Sequence, residues 1–108
     1  MIARTPDPPY YVAIFTSVRT PEEGGYGAMS ARMVELARAQ PGFLGMESVR
    51  TADGHGITLS YWDSPEAIQA WKRDSEHLEA QRLGRERWYE SYALRIARVD
   101  RQAFFGGG

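Results

Sequence analysis

A chain of 108 residues, 43% apolar and 25% charged, has the size and make-up of one globular domain. Its net charge of −1 excludes recruitment of nucleic acid or an anionic membrane by a global field, and the absence of cysteine excludes disulfides, thiolate metal sites and cysteine nucleophiles together. No apolar run approaches the roughly 20 residues of a membrane span, and the Pro-rich start through Pro9 lacks the apolar core of a signal peptide, so a cytoplasmic location is expected.

Residues 1–9 read as a flexible arm, residues 10–105 as a single domain and residues 106–108 as a disordered Gly tail. Tyr10 to Arg19 is dense in aromatic and β-branched residues and predicts the first strand. Val12 and Ile14 occupy one of its faces, Tyr11 and Phe15 the other, which suits a strand covered on both sides. Thr20-Pro21-Glu22-Glu23 resembles a helix start, but Gly24-Gly25 interrupts it, so the helix is placed from Tyr26 to Gln40, with Tyr26, Met29, Met33, Leu36 and Ala37 on one face. Pro41-Gly42 ends it.

Phe43 to Arg50 and Ile57 to Trp62 form a hairpin about an Asp53-Gly54 turn. Ser64 caps the second helix, Pro65 fits its first turn, and Ala67, Ile68, Trp71 and Leu78 make its apolar stripe. That helical pattern runs on past Gln81, with a break near Gly84, to Glu90. Ser91 to Arg101 alternates as the last strand.

The order β-α-β-β-α-β predicts an α+β ferredoxin-like sandwich: a four-stranded antiparallel sheet with helices on one face. The first and third strands are apolar on both faces, and one layer of helices covers only one of them. A second copy packed sheet to sheet is the simplest cover, so a homodimer is expected.

The segments "YYVAIFTSVRT", "QPGFLGMESVR", "ITLSYWDSPEAIQAWK" and "GRERWYESYALRIARV" resemble the antibiotic biosynthesis monooxygenase family over about residues 10 to 101, most closely its small stand-alone bacterial members. The resemblance implies a dimeric α+β barrel. It also implies either cofactor-free oxidation of quinols or phenols by O2, or haem binding and degradation. Both kinds of member use a tryptophan near the end of the third strand, matched here by Trp62. Both commonly use an asparagine, and this chain has none. The haem degraders place their iron-ligating histidine in an Ala-His pair late in the second helix, where this chain has Ala80-Gln81. No resident cofactor is therefore expected, with haem the alternative.

His77 is the leading candidate for chemistry. At helical spacing it shares a flank with Asp74 and Gln81, and Asp74, three residues earlier, can orient its ring as a general base. The bland alternative is a histidine that only satisfies local polar groups. Trp62 is a pocket wall or a core residue; Trp71 lies mid-stripe and reads as core. Tyr61, Trp71, Gln81, Trp88 and Tyr92 are the further candidates for binding a small aromatic or hydrophobic ligand. His55 lies in the turn and reads as solvated, and two histidines 22 residues apart without cysteine make a weak case for zinc. Three functions follow: an O2-using oxygenase of a small aromatic, a haem degrader, or a non-catalytic dimer that binds a hydrophobic ligand or serves a stress response.

Overall fold

The computed structural model describes residues 2–106. Four strands, β1 (Tyr10–Arg19), β2 (Phe43–Arg50), β3 (His55–Trp62) and β4 (Tyr89–Val99), form one sheet in the order β2-β3-β1-β4, every neighbouring pair antiparallel. The helices are α1 (Tyr26–Arg38), α2 (Pro65–Lys72) and α3 (Ser75–Leu83), and a π-helical turn over Gly84–Trp88 leads into β4. This is the α+β ferredoxin-like arrangement that the element order implies.

The core lies between the sheet and the helices. Ala37, Trp62, Ile68 and Trp71 form its buried centre, flanked by Tyr11, Met33, Leu36, Phe43, Met46 and Ala67. Strand alternation puts Tyr11, Phe43, Ser60 and Trp62 on this helix-covered face. Val12, Ile14, Leu59 and Tyr61 therefore face the opposite, outer side of the sheet, where Val49 is 74% and Ile57 48% exposed.

The sequence reading of one long second helix needs correction. The chain breaks after Lys72, and Asp74 caps a new helix, its carboxylate accepting from the backbone N–H groups of Glu76 and His77. Asp is a strong N-cap, so this local bond outcompetes helix continuation. The break resets the helical phase. Leu78, placed in the apolar stripe by counting from Trp71, is 50% exposed, while His77 turns half-buried toward Trp71. β4 also starts earlier than expected, at Tyr89, and ends at Val99.

The arm before β1, expected to be loose, lies across the outer face. The Ala3 N–H donates to Glu47 (3.0 Å), Thr5 bonds both the Tyr10 hydroxyl and Gln102, and the Gln102 amide donates to the Pro6 carbonyl. Ala3 passes so near Gly45 that a Cβ there would stand 3.1 Å from its methyl group. Of the Gly tail, residues 107 and 108 lie outside the described residues.

Candidate functional site

Trp62, Trp71 and His77, on three successive elements, are brought into one row. The indoles of Trp62 and Trp71 are stacked at 6.3 Å between centroids and 27° between planes. The His77 imidazole lies flat on the other indole, Trp71, at 4.2 Å and 15°. Its Nδ1 meets the Trp71 carbonyl at 2.9 Å. That carbonyl ends α2, where the last C=O groups lack partners in the same helix; it accepts from the Asp74 N–H at 3.2 Å and from the ring that the first turn of α3 supplies.

A carbonyl only accepts, so Nδ1 carries the proton and Nε2 is the basic nitrogen of a neutral ring. Burial disfavours the imidazolium and outweighs the Trp71 carbonyl and the Asp74 charge, so His77 titrates below the usual histidine value. Among the described residues Nε2 has no hydrogen-bond partner.

The expected orienter, Asp74, acts differently. Its carboxylate is spent on the backbone of α3, and the Trp71 carbonyl sets the ring orientation. Asp74 thus positions His77 through the helix start, not through the imidazole.

The remaining candidates separate. Trp62 is fully buried, its Nε1–H donating to Ser60 Oγ at 2.9 Å, so it is a core residue rather than the wall of an open pocket. Gln81 turns its amide to the Lys72 carbonyl at 3.4 Å and so bridges α3 to α2. Tyr61 follows the two-residue strand period to the outer face. There it donates to Glu47 at 2.5 Å, and burial together with that carboxylate holds its phenol well above the usual range.

Trp88 and Tyr92 belong to a second aromatic cluster with Phe15, Tyr26 and Tyr89. Trp88 is 3% exposed, and among the described residues its indole N–H has no acceptor. Beside it Tyr26 carries the Arg19 guanidinium over its ring at 3.4 Å. Burial alone would raise the Tyr26 phenol, yet Tyr89 and the Arg50 and Arg19 charges bring it below its ordinary value. Residue order did not expose this cluster. Tyr26 reads as helix-face core, and no sequence pattern pairs it with an arginine on β1 and another on β2.

Among the described residues no group of three or more His, Asp or Glu side chains is placed to hold a metal ion, and no helix is long and apolar enough to cross a membrane.

Fold and site define a small α+β ferredoxin-like protein with a tryptophan-backed neutral histidine on its helical face. The model of the antibiotic biosynthesis monooxygenase family matches residues 9–83, and the chain belongs to that family. It is 58% identical over 104 residues to the uncharacterized protein YqjZ of Bacillus subtilis (strain 168), covering 96% of this chain and 91% of that one. Its fold is similar to that of SnoaB, a cofactor-independent oxygenase from Streptomyces nogalater, with TM-score 0.74, 14% identity and coverage of 89% and 97% of the two chains. It is also similar to Rv0793 from Mycobacterium tuberculosis, with TM-score 0.70, 17% identity and coverage of 89% and 100%.

Proposed function

We propose that the protein oxidises a small electron-rich phenol or quinol with O2, with His77 as the base. The observation that carries this reading is the free Nε2 of a neutral imidazole held between a carbonyl and an indole face. Such a ring is ready to take a phenolic proton near neutral pH. The resulting phenolate is electron-rich enough to pass an electron to O2. Recombination at a ring C–H carbon forms a carbon–peroxide bond, and loss of water turns that carbon into a carbonyl, so the ring becomes a quinone with one oxygen atom in product and one in water. Trp71 supplies the wall that fixes the ring, and Asp74 positions it through the α3 cap. Family membership supports this class of chemistry.

Oxygen uptake with a panel of quinols tests it. His77→Gln is expected to lower the rate by about 10²–10⁴-fold, the usual contribution of a positioned base. Equal rates for both proteins refute the role.

The position matching the haem degraders' ligand supplies no good iron donor: this chain has Gln81 there, whose amide is spent on the Lys72 carbonyl. The sealed packing around Trp62 favours a second reading, a non-catalytic protein that binds a small hydrophobic molecule. Tight binding of a quinol without oxygen uptake is its signature.

The assembly we infer is a homodimer closed over the outer face, where Val49 and Ile57 are exposed. Sedimentation equilibrium is expected to give twice the 12.2 kDa chain mass; a monomer at micromolar concentration refutes it.

A further inference from the structure

At the end of the sheet away from Trp62, Arg19 and Arg50 line one cavity of about 520 Å³ together with Thr20, Glu23, Asp53 and Gly54. Both arginines are half-buried, and among the described residues neither pairs with a carboxylate. Their visible bonds go to neutral groups. Arg19 donates to the carbonyls of Trp88 (3.0 Å) and Glu22 (2.7 Å). Arg50 donates to the Gly54 carbonyl (2.6 Å) and to Ser17 Oγ (2.7 Å), a hydroxyl itself 2% exposed. A guanidinium offers five N–H groups, so three on each remain free.

The two acids in the cavity wall are turned to partners other than the arginines. Glu23 accepts from the Gly27 N–H (3.1 Å) at the start of α1, and Asp53 is engaged by Thr51 and by the His55 ring (3.1 Å). Against burial, the Arg50 and Arg19 charges help, after a hydrogen bond with Tyr89, to bring the neighbouring Tyr26 phenol below its ordinary value.

We propose that this cavity binds a small organic carboxylate, held by the free N–H groups of Arg19 and Arg50. Two forked donors converging on one space match the paired oxygens of a carboxylate. With two cations and two anions in its lining the cavity is neutral overall, which suits a monoanion better than a phosphate dianion. The site is separate from the Trp71–His77 pair: Arg50 and Gly56 face each other at one end of the β2–β3 ladder, Phe43 and Trp62 at the other.

The test is an NMR titration of the ¹⁵N-labelled protein, following the arginine Nε–Hε resonances. Benzoate is the probe, benzyl alcohol its uncharged counterpart and inorganic phosphate the competing oxyanion. Saturable shifts at Arg19 and Arg50 with benzoate alone are expected. The affinity is expected to weaken at least about tenfold in Arg50→Gln. The same loss is expected in Gly56→Ala, where an added Cβ would stand 2.6 Å from Arg50 Cζ and displace the guanidinium without removing its charge. The proposal is overturned by equal binding of benzyl alcohol, by a preference for phosphate, by shifts elsewhere only, by no saturable shift, or by undiminished affinity in folded variants. Thermal unfolding establishes that a variant is folded, and the wild-type titration decides by itself if neither is.

Discussion

Ser60→Ala asks whether Trp62 is core or pocket wall. The Trp62 indole N–H donates to Ser60 Oγ at 2.9 Å in a position with no solvent exposure. Removing the hydroxyl leaves a buried donor unsatisfied, which costs about 1–3 kcal/mol. At about 2.1 cal/mol/K per residue, the 108 residues have an unfolding entropy near 0.23 kcal/mol/K. The midpoint of thermal unfolding should then fall by about 4–13 °C. Circular dichroism melts at pH 7.5 measure it. Ser48→Ala is the control, because Ser48 bonds Thr58 at 2.8 Å on the same hairpin but in the open, and a surface loss stays within about 0.5 kcal/mol, or roughly 2 °C. A drop in Ser60→Ala no larger than in the control means that the indole finds another partner. The sealed core around Trp62 would then be wrong.

Three further outcomes are expected. Because His77 titrates below its unfolded value, the unfolded chain binds more protons in the window between the two. Its contribution to stability is therefore full above pH about 6.5 and is lost as the pH falls through the folded value. Urea melts between pH 8 and 5 should show a steeper loss in wild type than in His77→Gln; parallel curves refute the burial argument. Asp74→Ala removes the α3 cap and should cost about 0.5–2 kcal/mol. It should lower quinol turnover in parallel with His77 misplacement, and Asp74→Asn, which can still cap, should restore both; failure of Asn to restore either shows that the charge matters rather than the cap. Gly42→Ala should destabilise by about 1–3 kcal/mol, since Gly42 has φ 85° and an added Cβ would collide with the Asp63 carboxylate and the Ala67 methyl; an unchanged melting temperature contradicts that geometry.

Local composition and turn signals made the architecture legible. The aromatic and β-branched runs of Tyr10–Arg19 and Ile57–Trp62, the Asp-Gly turn and the Ser64-Pro65 start fix strands, hairpin and helix entry from local chemistry alone. The break at Asp74 was missed because an Asp inside a helical run also reads as a solvated face; only the bonds it makes to Glu76 and His77 reveal a cap.

What the amino-acid order determined by itself is the pattern of apolar side chains, and with it the β-α-β-β-α-β order and an outer sheet face too apolar to stand uncovered. It also flagged His77 and Trp62: the chain has two histidines and three tryptophans, and the family resemblance matches Trp62. What the tertiary structure decided is which neighbours they have: Trp71 beneath His77, Ser60 beneath Trp62, and Arg19 and Arg50 sharing one cavity. The reason is distance along the chain. A strand or helix obeys rules spanning a few residues, whereas a guanidinium at 19 and another at 50 meet only after the sheet has set its register.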